Sequence, residues 1–534
     1  MPDGEDLSAG VKVARGATYV FITGLSSAAL GVVYIVFLTR LLSQEEIGTF
    51  GVLTFVLGLI QTIGVLSLPS ASVKFIAQFM AEGNKEKAKA IVTRVLQISV
   101  IVSIVAFVLV FFLSGWISSA LSSSSMMIQV SVVQVLAVAS FFVLFYYQAQ
   151  GFLQGLQKLR DLALISLLYT VIQYGLALAL VYAGFGVFGI IVSWAVALVI
   201  CTALTLAVTK KNLGIVGKPS EAKPLLNFIY PLYVSSIFGY LVIWVDQLFI
   251  LPFMGLATFG MYNIANRAAF VPGLISSALV AALYPKLSQL YTESGKSSLE
   301  NAFTAATRYV VLVGFPIILL VAVLASPVMI LFAGAQYAPA AFPLALLCVA
   351  SLFGTIGVAI SPAFFTLERT WSASMITFAS VVVDALFSYL LIASLGLGMI
   401  GAAVAKIVAA AVGLFLGTVL LRQLIKVKFD TEMFWKALLA SVVMVAALLG
   451  FDVVRQLTIG PPNSFLAFRI LLLPVYIILG IIVYFLAILA LRAIRREDLE
   501  MFREYLPGGL KKIVVFFERF VPSTKAKGES LEKS

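Results

Sequence analysis

Arg40–Gly51 reads "RLLSQEEIGTFG", a short charged stretch between two long apolar runs. Leu256–Arg267 reads "LATFGMYNIANR", so Phe50-Gly51 falls on Phe259-Gly260 at a spacing of 209 residues. Other stretches recur at nearly the same interval. "VTRVL", with Thr93-Arg94, falls on "ATRYV", with Thr307-Arg308, at 214. "GLQKLRD" falls on "TLERTWS" at 211, and "GFGVFG" (Gly184–Gly189) on "GLGMIG" (Gly396–Gly401) at 212. An interval that holds over so long a stretch marks an internal repeat.

The repeat is written in apolar sequence. Of 534 residues, 62% are hydrophobic and 11% charged, and the mean hydropathy is +1.09. Soluble domains carry about 25% charge. Hydropathy places about fourteen spans between residues 17 and 490, each long enough to cross a ~30 Å hydrocarbon core as a helix. The expected fold is an all-α polytopic membrane protein. The first apolar run is too long for a cleaved leader, so no separate signal peptide is expected. With the N-terminus inside, about 31 of the 36 lysines and arginines fall in cytoplasmic segments. Arg40, Arg455 and Arg469 lie near outer segments, and Arg267 and Lys406 within spans. Both termini are therefore expected in the cytoplasm. The net charge of +12 follows from topology and does not call for nucleic acid. Histidine is absent, which excludes histidine triads, HExxH zinc sites and imidazole relays. Cys201 and Cys348 form neither a disulfide framework nor a metal spacing. No metal or other cofactor is expected.

Each copy of the repeat holds six spans, an even number, so both copies enter the membrane from the same side. They read as parallel lobes, residues 1–212 and 213–428, followed by an extra helix pair at 429–490. Paired lobes of this kind are a transporter layout, with the substrate site between them and alternating access by rocking. Residues 491–534 read as a cytoplasmic amphipathic tail, its basic helices lying on the anionic inner leaflet.

Ionisable residues inside a span cost about 2.5–3.5 kcal/mol each and so pair with one another or face a cavity. Asp384 and Lys406 lie on consecutive antiparallel helices, both roughly 15–18 Å from the inner face at ~1.5 Å per residue. They read as a structural ion pair, or as a cavity pair whose lysine touches substrate or whose carboxylate takes a coupling cation, Na+ or H+. Asp246 and Arg267 lie near the outer face on adjacent helices and are also placed to pair. Arg267 follows the repeated motif directly, and arginine suits phosphate recognition. Arg40, at a span end, has a snorkelling role as its plainer reading. Lys74, with Lys85, Lys87 and Lys89, has an inner-face anchor as its own. Tyr34, Trp244 and Tyr262 lie on helices of the expected cavity, where sugar rings would stack, although packing is the commoner use of such residues.

Four longer stretches carry a family resemblance: "LTRLLSQEEIGTFGVL", "LPSASVKFIAQFMAEGNKEKAKAIVTR", "WVDQLFILPFMGLATFGMYNIANR" and "LGLGMIGAAVAKIVAA". Their order, the repeat and the spans resemble the polysaccharide-transporter branch of the multidrug/oligosaccharidyl-lipid/polysaccharide flippase superfamily, the Wzx-type oligosaccharide flippases, to about residue 490. The resemblance implies a V-shaped pair of lobes. It also implies that a polyprenyl-(pyro)phosphate oligosaccharide is flipped from the inner to the outer leaflet of the cell membrane, with membrane lipids and glycan-assembly enzymes as partners. By motif position it makes Arg40 and Lys74 the basic residues that meet phosphate. Lysine at the second position keeps charge without the bidentate fork of the arginine many relatives carry. Asp384 stands where relatives often have asparagine, and Lys406 where they often have a small or hydroxylated residue. A cation-coupled drug exporter of the same superfamily is the alternative. Asp246 and Asp384 favour it; the extra helix pair and the basic residues speak against it. A membrane glycosyltransferase or polymerase would need larger outer loops with positioned carboxylates, and no DxD-like motif is present.

Overall fold

The computed structural model describes residues 4–121, 128–459 and 465–493, without the side chains of 4–17, 120, 121, 274–295, 298, 458, 459 and 465–471. The expected tail helices lie outside the described residues. The described chain is helical and holds no strand. Among the described residues, twelve segments are long and apolar enough to span a membrane. Large apolar side chains such as Ile101, Leu109 and Phe112 stay exposed along them, as a lipid-facing surface requires. The chain is a multi-pass membrane protein.

Two of the twelve segments exceed fifty residues, Leu159–Asn212 and Ala222–Gly273. Each doubles back. In the first, Gly184 takes φ 91° inside a π-helical turn, Val181–Phe185, and Gly186 takes φ 51° just after it. Side chains are disfavoured at such angles, which explains the two glycines. In the second, Gly255 takes φ 80°, and the Tyr262 hydroxyl donates to Asp246, sixteen residues earlier, at 2.7 Å. A straight helix would hold those residues ~24 Å apart.

Several of these turns recur at the interval seen in the sequence. Gly396 and Gly398 take φ of 66° and 55° after a second π-helical turn, Tyr389–Ser394. Gln157 and Glu368 both take φ 57° at helix ends. Each is followed by the same closing bond, Lys158 N–H to Leu153 at 2.9 Å and Arg369 N–H to Phe364 at 2.8 Å. Thr93-Arg94 and Thr307-Arg308 also act alike. Arg94 Nε donates to the Ser220 carbonyl at 2.6 Å, and Arg308 Nη1 meets Asp430 at 2.7 Å. Each fastens the segment that follows a long helix, Gly186–Asn212 for Arg94 and Gly398–Arg422 for Arg308.

The chain forms two compact units. The first comprises Met1–Ala265, Leu331–Ala340 and Thr370–Ala409. Within it the amphipathic helix Leu68–Ala81 buries Leu68, Ala71 and Ile76 against Val92, Val95, Phe152 and Leu225. The charged opening stretch has a local cause. Ser43 caps helix Gln44–Gly64 and exchanges bonds with Glu46: Glu46 N–H to Ser43 Oγ at 3.2 Å, Ser43 N–H to Glu46 Oε2 at 2.9 Å. The two copies of the repeated stretch then pack on each other. A Cβ on Gly48 would collide with the Leu256 carbonyl, and one on Gly260 would sit 2.6 Å from the Gln44 carbonyl oxygen. A Cβ on Gly51 would sit 2.8 Å from the Phe259 ring. Only glycine permits this approach. Farther along the same helix, the Tyr240 hydroxyl donates to the Phe55 carbonyl at 2.6 Å.

The second unit comprises Asn266–Ile330, Ala341–Arg369 and Ala410–Ser534. In it the last helix pair, Thr431–Ile459 and Phe465–Ala490, packs together through Met444, Leu448 and Tyr476. Arg308 anchors that pair. Besides Asp430 it reaches the Ala493 carbonyl at 3.2 Å, while Asp430 Oδ1 accepts the Met433 N–H at 3.0 Å at the helix start. The Tyr484 hydroxyl adds a bond to the Leu312 carbonyl at 2.7 Å.

Candidate functional site

Three charged side chains from three helices meet within the first unit. Lys406 Nζ lies 2.9 Å from Asp246 Oδ1 and 3.2 Å from Asp384 Oδ2, and donates to the Val242 carbonyl at 2.5 Å. Asp246 and Asp384 are 0% and 1% exposed. Val242 and Asp246 are one helical turn apart and so face the same way. Helix Thr370–Ser388 supplies Asp384, and helix Gly398–Arg422 supplies Lys406. The turns align them. A Cβ on Gly398 would press on Met254, so the turn at 398 sits beside the turn at 255. Lys406 then lies eight residues from one turn and Asp246 nine from the other, at matching depth.

Hydroxyls complete the cluster. Tyr262 donates to Asp246 Oδ2 at 2.7 Å, and Ser388 to Asp384 Oδ1 at 3.3 Å. One residue on, Asn263 Nδ2 donates to Gln247 Oε1 at 2.7 Å, and Gln247 to the Ile243 carbonyl at 2.8 Å. With all three charged groups ionised, the trio carries one net negative charge. It can tie three helices together and can accept one more positive charge. Burying charges is tolerable only when they are compensated in this way.

Depth alone brings Asp384 to Lys406. The third member, Asp246, was assigned a different neighbour in the sequence, Arg267, whereas here it is held by Lys406 and Tyr262. Arg267 is half-buried and belongs to the second unit. Arg40 is exposed and donates to the Val36 carbonyl at 2.5 Å and the Leu331 carbonyl at 2.7 Å. Lys74 is exposed, with its ammonium 4.3 Å from the Phe228 ring centre. The aromatics proposed for sugar stacking are buried in protein. Tyr34 stacks on Tyr174 at 4.4 Å, Trp244 lies against Phe55 at 5.4 Å, and Tyr262 is 0% exposed beneath its bond to Asp246. In this state none of the three presents a ring face to a sugar. Among the described residues no group of acidic, cysteine or histidine side chains is arranged to hold a metal.

Comparison with known proteins bears on the family and the fold. Residues 37–342 match the model of a family described as polysaccharide biosynthesis protein. A probable low-salt glycan biosynthesis flippase of Haloferax volcanii is 25% identical over 442 residues, covering 82% of this chain and 90% of that protein. Among solved structures, the lipid II flippase MurJ in an inward closed conformation superposes with a TM-score of 0.70 at 16% identity, covering 88% of this chain and 97% of that one. An inward-facing multidrug MATE transporter of the MOP superfamily gives 0.63 at 18%, covering 74% and 95%. At these identities the structural likeness speaks for fold: all-helical and MurJ- and MATE-like. These relatives are flippases and transporters, not enzymes.

Proposed function

Because the chain belongs to the polysaccharide biosynthesis protein family, we propose that it is a flippase that moves a polyprenyl-(pyro)phosphate-linked oligosaccharide from the inner to the outer leaflet by alternating access. The strongest support is the match along 442 residues to a glycan biosynthesis flippase. The proposed topology has fourteen crossings, with both termini in the cytoplasm and lobes at 1–212 and 213–428. The doubled-back segments and the turns recurring 211–212 residues apart support it.

Within this reading the basic residues divide their roles. Lys406 is held by two carboxylates, and phosphate recognition is assigned to Arg267, whose guanidinium suits a phosphate and follows the repeated stretch, and to the exposed Lys74. A pyrophosphate brings at least two negative charges into a medium where desolvation is costly, and a fixed guanidinium offsets part of that cost with charge-assisted bonds. The trio, one negative charge in excess, takes up a proton or a monovalent cation during the cycle. Glycan-assembly enzymes supply the substrate on one side and use it on the other.

Arg267→Ala tests the assignment. It should slow flipping of a pyrophosphate-linked sugar strongly at matched protein amounts, and Arg267→Lys should recover part of the rate, because charge returns without the planar fork. Unchanged flipping in Arg267→Ala, Lys74→Ala together would remove both residues from phosphate recognition. A cation-coupled drug exporter is the second reading, favoured by the buried carboxylates and the MATE-like fold. Such a protein has no anionic headgroup to hold, and its transport of an organic cation would be indifferent to Arg267→Ala.

A further inference from the structure

The first repeated stretch is held by contacts in two layers, one to residues 331–336 and one to the second repeated stretch. The upper layer is polar. Arg40 Nη2 donates to the Leu331 carbonyl at 2.7 Å, Gln44 Nε2 to the Gln336 carbonyl at 2.6 Å, and Gln336 Nε2 to the Thr39 carbonyl at 3.1 Å. Every acceptor is main chain. Thr39 lies in the last turn of helix Gly4–Leu41 and Leu331 in the last turn of Ala325–Ala333. These are carbonyls that a helix end leaves without an internal partner. A guanidinium there also meets the negative end of a helix dipole. The lower layer is dry and close-packed. Gly48 lies under the Leu256 carbonyl, Gly260 against the backbone of Gln44 and Gly48, and Gly51 against the Phe259 ring.

We infer that the two layers form a latch at the outer end of the molecule, and that Arg40 is a positioning residue of that latch rather than a phosphate ligand. The proposal rests on the alternating-access reading. For the carrier to face outward, the Gln44–Gly64 helix must separate from the chain around 256–263 and from 331–340. The polar layer suits a contact that opens and closes. Arg40 is exposed, so water replaces its carbonyl partners on opening, and the exchange of hydrogen bonds is nearly balanced. The glycine layer suits a contact that must exclude water when shut, since any side chain at Gly48 or Gly260 would wedge it apart. The motif is present twice because one copy closes on the other.

The test uses the full chain with Cys201 and Cys348, both buried, replaced by alanine. Gln44→Cys and Gln336→Cys are bridged by a short, reducible bifunctional thiol reagent. Bridging should stop flipping, and reduction should restore it. A bridged protein that flips at the full rate, or a pair that cannot be bridged, overturns the latch. In a second arm, Asn263→Cys reports from beneath Gly51. Arg40→Ala should raise its labelling by an impermeant thiol reagent from outside severalfold, and Arg40→Lys should largely reverse the rise. Lower flipping in Arg40→Ala with unchanged labelling would return Arg40 to phosphate binding and refute the proposal. Labelling needs no substrate. A protein that shows the labelling response but moves no lipid-linked sugar therefore refutes the substrate reading and leaves the latch standing.

Discussion

Lys406→Met should damage the protein far more than Asp384→Asn, although each removes one formal charge. The two carboxylates share one nitrogen at 2.9 and 3.2 Å, so their oxygens lie within about 6 Å of each other, where an effective dielectric of ~20 gives a repulsion of roughly 3 kcal/mol. Removing one partner of a buried ion pair costs about 3–5 kcal/mol. Lys406→Met removes the partner of both carboxylates and leaves their repulsion uncompensated, so its cost should lie at or above the top of that range. Asp384→Asn loses a bond to a charged group, worth about 1.5–3 kcal/mol, but also removes roughly 3 kcal/mol of repulsion, which leaves a nearly neutral balance. The double variant keeps Asp246 buried with only the Tyr262 hydroxyl and should fall between the two. The assay is thermal unfolding of purified protein in detergent, followed by monodisperse fraction. The expected order of stability is parent and Asp384→Asn together, then the double variant, then Lys406→Met. Equal losses in the two single variants, or a Lys406→Met protein as stable as the parent, would refute the reasoning.

Gly260→Val should wedge the glycine seam, and outside labelling of Asn263→Cys should rise even with Arg40 intact; unchanged labelling would show that the seam does not close that face. Arg308→Ala should leave Asp430 without its buried partner and cost about 3–5 kcal/mol, read as lower thermal stability and faster proteolysis between residues 424 and 430. Gly184→Ala and Gly396→Ala should each lower stability by about 1 kcal/mol or more, because both residues hold left-handed angles; parent-like melting would indicate that the turns relax freely.

The membrane class and the order of the elements were legible because hydropathy and a repeat interval survive in a single sequence. The interval was visible at Gly184 and Gly396, and the backbone repeats it there for a steric reason, positive φ, that leaves glycine as the residue of choice. The pairing of Asp384 with Lys406 followed from equal depth on neighbouring helices. The pairing of Asp246 with Lys406 does not emerge from depth counted separately from each membrane face. In a ~30 Å core, roughly 15–18 Å from the inner face and about 9 Å from the outer face nearly coincide, so the three residues were already close in depth. The Val242 carbonyl could not be found in this way, since a backbone acceptor carries no sequence signature. The motif reads Arg40 as a phosphate ligand; its bond to the Val36 carbonyl lies within its own helix, while its bond to the Leu331 carbonyl depends on packing between elements far apart in sequence. The aromatics have the surroundings that the plainer reading, packing, describes. Tyr34, Trp244 and Tyr262 fill space and satisfy hydrogen bonds between helices.

The central claim is that the chain moves a lipid-linked sugar across a bilayer, and leaflet exposure measures that directly. The protein is reconstituted into vesicles holding a fluorescent polyprenyl-pyrophosphate oligosaccharide, and the fraction reached by an impermeant quencher is followed with time. The expected result is exposure that depends on the protein, exceeds that of empty vesicles and slows in Arg267→Ala. Exposure equal to that of protein-free vesicles, in a preparation that exports an organic cation, would contradict the claim.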